Sequence, residues 1–466
     1  MNDLYDDIKI YLLFKYYLND RDALQLFKTS KTQYKDIALY KYKAEVHYCN
    51  LSKYKNCIVT RALCADQFNN LSNLITHLIF DNFFNKSVEI ANLTNLTYLQ
   101  FGDCFNQEIG NKSLPNSITH LIFGYRFNKP LINLPNFITH LTLDGYFNQP
   151  VDIYNLPDTL THLTMWGDFN QSVDNLPNSI THLLLGSRFN QPVDHLPKCI
   201  TYLEFIGDFN QSVDNLPNSI THLIFGYCFN LPVNNLPNSI THLRFGSEFN
   251  QLVDNLPNSI IYLDFGYNFN QPVDKLPQSI TCLTFGDEPY SFDGNFNKSV
   301  DKLPNSITCL TLGGDFNQQI NHLPNSLTHL TLGNCFNHQV NHLPESIQCL
   351  NFGQSFDRPV DHLPNSLVNL TFGFNFNQSV DRLPKSLTCV RFGKEFNQPI
   401  TNLPNSLQNL EFHRTFSQQL ENLPTSLIQL MIGGENIIGE KYKYFGFRCT
   451  CDEKKYFYMH EIQLKK

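Results

Sequence analysis

The chain has 466 residues, 42% of them hydrophobic, with 34 Lys plus Arg against 42 Asp plus Glu and a formal net charge of −8. Residues 1–66 carry 11 basic and 8 acidic side chains, residues 67–438 carry 16 against 30, and residues 439–466 carry 7 against 4. A long segment with such an excess of carboxylates repels phosphate backbones, so nucleic acid is not the expected ligand. No run of eighteen apolar residues exists to span a membrane, and the acidic start MNDLYDD lacks the basic region of a secretion signal. Thirteen Cys without a disulfide-like spacing read as reduced thiols of an intracellular protein.

Residues 1–60 stand apart as an α-helical module. Leu4, Ile8 and Leu12 have helical spacing, and a second helix is expected after the Asn19-Asp20 cap, with Leu24 and Phe27 on one face. The stretch from Leu18-Asn-Asp-Arg-Asp-Ala-Leu-Gln-Leu to Ser30-Lys31 resembles the second half of an F-box. That small helical module docks on the Skp1 adaptor of cullin ubiquitin ligases. The resemblance implies that Leu18 and Leu24 face a Skp1-like adaptor. It is incomplete, because Tyr5 stands where the F-box usually has Pro and about two extra residues precede Leu18. Read from the residues alone, the same helices serve as a cap on the first coil of the neighbouring domain.

From Leu71 almost to the C-terminus a unit of about twenty residues recurs, well represented by LPNSITHLxFGxxFNQPVDN. Sixteen copies, from Leu114 to Leu423, keep the Leu-Pro step, and two weaker ones start at Leu71 and Leu93. A period this short means a solenoid whose units cannot bury their apolar faces alone and must stack. Within one copy only His120 to Phe123 alternates as a strand does. Leu121 and Phe123 then point inward and His120 and Ile122 outward, with turns at the Gly after the strand and at the Asn and Pro beyond it. The Asn of each Phe-Asn step is expected to satisfy backbone groups between coils.

The pattern Ile-x-x-Leu-x-Phe resembles the leucine-rich-repeat core. The steps FNKP at Phe127 and FNQP at Phe147, Phe189, Phe269 and Phe396 resemble the FNIP repeat, abundant in social amoebae and in giant DNA viruses of amoebae. The likeness covers residues 71 to about 432 and implies a leucine-rich-repeat-like parallel β-solenoid of about 18 coils. The expected organisation is a helical module over 1–60, a solenoid over 67–438 and a C-terminal cap over 439–466.

The outward strand position is a column of His77, His120, His140, His162, His182, His222, His242 and His329, interspersed with Tyr98, Tyr202 and Tyr262. Cys282, Cys309, Cys349 and Cys389 share that position. No carboxylate or thiol recurs beside the imidazoles to close a four-ligand shell, so no metal or other cofactor is expected. The neighbouring outward positions Ile122, Thr142, Thr164, Leu184, Glu204, Ile224, Arg244 and Asp264 vary from coil to coil and are expected to be exposed. Ser and Thr are plentiful but belong to the repeated Thr-His and Asn-Ser steps, so no catalytic constellation is singled out from many equivalent copies, and neither GxxxxGK[ST] nor GxGxxG occurs. Two insertions break the register: Ile153-Tyr154 on one bend, and a loop from Asp287 to Gly294 that carries Tyr290 and Phe292. That loop reads either as a tolerated surface insertion or as a partner-binding finger. The expected function is non-catalytic capture of a protein partner on the exposed sheet face, with or without delivery to a ubiquitin ligase. The competing expectation is a purely structural or competitor repeat protein.

Overall fold

The computed structural model describes residues 45–47, 61–64, 73, 75–286, 294–420 and 422–438, organised in two units, 1–186 and 187–466. The helices expected around Leu18 and Leu24, the Tyr290 and Phe292 insertion and the 439–466 cap lie outside the described residues. Among the described residues there is no helix.

In the N-terminal unit eight short strands, from Glu45–His47 to His182–Leu185, pair in parallel, each with the next. In the C-terminal unit twelve strands, from Tyr202–Phe205 to Gln429–Ile432, do the same. Register is fixed by the repeat: His120 lies opposite His140, and Leu121 opposite Leu141. Eighteen of these strands, from His77–Phe80 onward, belong to the repeats. The two before them, Glu45–His47 and Arg61–Cys64, extend the parallel pairing, and Glu45–His47 falls within the span 1–60 assigned to the helical module. At the other end Glu435–Ile438 turns back antiparallel on Gln429–Ile432 through Gly433 and Gly434, both at positive φ. Paired glycines suit a tight hairpin turn because they adopt left-handed backbone without a Cβ clash.

One coil shows how the sequence builds the rest. Leu121 and Phe123 are fully buried in the alternating strand. The chain then turns, with Phe127 N donating to Gly124 O at 3.2 Å, and turns again, with Ile118-type closure onto the proline carbonyl of each Leu-Pro step. Phe123 and Phe127 stack at 3.9 Å, and each also stacks on its equivalent in a neighbouring coil. A continuous column of the Phe127 type and a column of the Phe123 type, interrupted by Leu143, Met165, Leu185, Leu312 and Leu332, therefore run through the interior, and their offset stacking adds to the area they remove from water. In the C-terminal unit Phe245, Phe249, Phe265 and Phe269 repeat the arrangement at 3.7 to 6.1 Å.

Polar residues of the repeat tie coil to coil. The Oδ1 of Asn128 accepts from Asn148 N at 3.1 Å and from Gln149 Nε2 at 2.9 Å, and the same pair of bonds recurs from Asn148 to Asn170 and Gln171. This is the backbone-satisfying role expected of the Phe-Asn step. Where Asp357 replaces Asn, its carboxylate accepts the same two donors, Asn377 N and Gln378 Nε2. The serine of Pro-Asn-Ser donates to the carbonyl of the preceding coil, as Ser239 Oγ does to Ile220 O at 2.6 Å. In most coils a glycine follows the inward residue that ends the strand step, and it is there for space. A Cβ on Gly246 would meet the carbonyl of Gly226 inside van der Waals contact.

Candidate protein-binding face

The strand positions that point away from the phenylalanine columns form the outer face of each unit. In the N-terminal unit His120, His140, His162 and His182 stack ring on ring at 4.1 to 4.2 Å with planes 11 to 13° apart. His222 and His242 stack at 4.3 Å in the C-terminal unit, flanked by Tyr202 and Tyr262 at 6.1 and 6.0 Å. Each of these imidazoles shares a hydrogen bond of 2.9 Å between Nδ1 and the hydroxyl of the preceding Thr, as in Thr139 with His140. The threonine hydroxyl also reaches the carbonyl of the previous coil, as in Thr139 and Thr161, so the Thr-His step fixes ring orientation where it occurs.

Stacking has an electrostatic consequence. Burial pushes His120 and His242 below the ordinary 6.5. For His140, burial first and then the neighbouring His120 and His182 bring the pKa down to about 4. A row of half-buried imidazoles cannot share protons cheaply, because each new charge is desolvated and meets a like charge. His120, His140 and His242 are therefore held in the neutral form at physiological pH. Parallel rings also aim their lone pairs in parallel rather than at one point. Among the described residues no group of three or more His, Cys, Asp or Glu converges in a metal-binding arrangement.

The sequence-derived candidates His120, Ile122, His140, His162, His182, Tyr202, His222 and His242 all lie on this outer face and are half-buried. The expectation of uniform exposure beside them needs correction. Thr142, Glu204 and Arg244 keep partial contact with water, but Thr164, Leu184, Ile224 and Asp264 are buried. Neighbouring coils a few ångströms apart cover a short side chain from both sides, so outward direction alone does not secure exposure. The thiols in the main column obey the same rule. Cys282, Cys309 and Cys389 are buried, and burial with the nearby Glu411 pushes Cys389 up to about 12, which leaves it unreactive.

One device went unread in the sequence. Where tyrosine replaces histidine, the residue two positions on is an acceptor: Tyr98 hydroxyl donates to Gln100 Oε1 at 2.9 Å, Tyr202 to Glu204 Oε2 at 2.6 Å and Tyr262 to Asp264 Oδ2 at 3.5 Å. Residues i and i+2 share a strand face, so the spacing Tyr-Leu-(Gln/Glu/Asp) was a legible signal.

Comparisons with known proteins agree with this architecture. The FNIP Repeat family model matches residues 84–166, 169–288 and 296–435, in overlapping copies. Among solved structures, CroV588, described as a novel circular leucine-rich-repeat protein, is 36% identical, with 84% of this chain and 76% of that chain covered and a TM-score of 0.56. YopM from Yersinia enterocolitica is 16% identical over 81% of this chain and 86% of its own, with a TM-score of 0.48. An internalin of Listeria monocytogenes is 18% identical over 74% and 88%, with a TM-score of 0.39. No curated protein matches the sequence.

Proposed function

Because the chain belongs to the FNIP repeat family, with a leucine-rich-repeat-like fold, we propose that it is a non-catalytic scaffold that captures a protein partner on its outer sheet face. One observation carries this reading. Inward positions are copied almost unchanged from coil to coil, whereas the outward residues two positions beyond the His/Tyr column that keep contact with water vary, Ile122 and Thr142 in the N-terminal unit and Glu204 and Arg244 in the C-terminal unit. Packing demands the first pattern, while the second leaves a varied, water-contacting surface of the kind that recognises a protein. The acidic balance of 67–438 favours a neutral or basic partner over a polyanion. Protein capture of this kind suits an intracellular receptor, consistent with the reduced thiols.

The likeness of residues 18–31 to half an F-box extends the proposal: the N-terminal module links the captured partner to a cullin-type ubiquitin ligase through a Skp1-like adaptor. Leu18→Ala with Leu24→Ala should abolish co-purification of a purified Skp1-type adaptor while the repeats stay folded, because truncating large anchors typically costs 2 kcal/mol or more, about thirty-fold in affinity. Wild-type protein that retains no adaptor would remove the ligase role and leave the scaffold. The stacked, threonine-bonded histidines favour a second reading, a purely structural or competitor repeat protein, since their Nδ1 atoms find partners within the chain.

A further inference from the structure

We propose that the outer face of the N-terminal unit takes a primary ammonium group, the side chain of a lysine on the protein partner, bridged between the Nε2 atoms of His120 and His140. The inference rests on the reading of that face as the capture surface and names the chemistry it selects. The six repeat strands of this unit, from His77–Phe80 to His182–Leu185, contain no Lys, Arg, Asp or Glu. Charged side chains of the surrounding coils, among them Lys112, Arg126 and Lys129 of one sign and Asp103, Asp144 and Asp158 of the other, lie outside the strands. On the strands themselves no ion pair selects the partner, and hydrogen-bond polarity decides.

The Thr-His step sets that polarity. Thr139 Oγ1 is 2.9 Å from His140 Nδ1 and 3.2 Å from Thr119 O, and Thr119 Oγ1 is 2.9 Å from His120 Nδ1 and 3.1 Å from Thr97 O. A hydroxyl has one proton to give and a carbonyl oxygen has none. If the hydroxyl proton went to Nδ1, the hydroxyl and carbonyl oxygens would face each other with no proton between them. Both contacts are satisfied when it goes to the carbonyl, which also takes the backbone N–H of Thr139 and His140 at 2.9 and 3.0 Å, and when Nδ1–H donates to Oγ1. In the neutral ring the lone pair is then on Nε2. Among the described residues the Nε2 atoms of His120 and His140 have no hydrogen-bond partner, and neither is sealed from water.

Rings 4.2 Å apart and 11° from parallel hold the two acceptors at about that separation. A nitrogen about 2.9 Å from both would aim its two N–H bonds about 90° apart, within reach of a tetrahedral ammonium. A hydroxyl or a backbone amide has one proton and reaches one ring only, and a carboxylate has no donor. Arginine holds its paired N–H bonds in a planar fork fitted to the two oxygens of a single carboxylate, a narrower span than this. A side-chain amide has two protons but no charge, and the 30 acidic against 16 basic side chains of residues 67–438 favour the cation.

The test uses full-length protein with isotope-labelled histidine and two synthetic peptides of alternating glycine and lysine. In one of them every lysine is trimethylated, which keeps the charge and removes the N–H donors. The ring-nitrogen resonances of His120 and His140, assigned with His120→Gln and His140→Gln, should place the proton on Nδ1. The same resonances should report binding of the unmodified peptide at least about tenfold tighter than of the trimethylated one. His120→Phe with His140→Phe, which keeps an aromatic stack without lone pairs, should abolish that difference, read by fluorescence anisotropy of labelled peptides. A proton on Nε2 of either ring, equal affinities of the two peptides for the wild type, or a preference that survives in the double variant would overturn the proposal. The first two outcomes need only the folded wild type. Capture of a protein on this face is read separately, by cross-linking from Thr142, so a cross-linked partner without the lysine preference refutes the ammonium site alone.

Discussion

Replacing His140 by Gln should flatten the acid side of the stability profile. His140 lies between His120 and His162 at 4.2 and 4.1 Å and titrates at about 4, against 6.5 when unfolded. The depressed value means that between these two pH values the unfolded chain binds more protons than the folded one. Stability is therefore full above about 6.5, declines as pH falls towards 4 and levels off below it. The shift sets a ceiling of about 3 kcal/mol for this one group. Because the ring is only half-buried, solvent screening lowers the expected contribution to about 1–2 kcal/mol. The chain has a single tryptophan, Trp166, placed one residue beyond the strand His162–Met165 that pairs with the His140 strand. Urea unfolding monitored by Trp166 fluorescence at a series of pH values reports on this unit. The wild type should lose stability between pH 6.5 and 4 by about 1–2 kcal/mol more than His140→Gln does. Identical slopes for the two proteins would show that stacking does not suppress protonation of the column.

Other parts of the repeat make separate predictions. Asn250→Ala removes the acceptor of Asn270 N at 2.9 Å and Gln271 Nε2 at 3.1 Å, and should cost about 1–3 kcal/mol in chemical denaturation. Asn250→Asp should be far milder, since Asp357 already does the same task. Gly246→Ala drives a methyl against the Gly226 carbonyl and should cost about 1–3 kcal/mol, with hydrogen exchange rising first in the coils on either side.

The sequence displays the solenoid because each inward position is repeated, so the strands from His77–Phe80 onward, their register and the asparagine contacts could all be read from one copy. The two strands before them could not. Glu45–His47 and Arg61–Cys64 lack the Leu-x-Phe and Leu-Pro steps, and only the pairing of Arg61–Cys64 with His77–Phe80, and of Glu45–His47 with Arg61–Cys64, shows that they join the sheet. The closing hairpin did leave a mark, Gly433-Gly434, which reads as a turn once the reversal of strand direction is considered. Burial on the outer face was the least legible property. Leu184 and Asp264 point outward by alternation, yet the side chains of adjacent coils decide whether water reaches them. The identity of the His/Tyr column was plain. The lowered pKa of His140 was not, because it arises from burial and from neighbouring rings that a single strand does not contain.

Capture of a partner on the outer sheet face is tested most directly by a photoreactive phenylalanine analogue placed at single positions of the full-length protein. At Thr142 or Glu204, on the partly exposed outer face, illumination in a cell extract should yield one discrete adduct. At Asn238, on an exposed turn away from that face, it should yield none. An adduct that forms equally from Asn238, or no adduct from either outer-face position, would contradict the account.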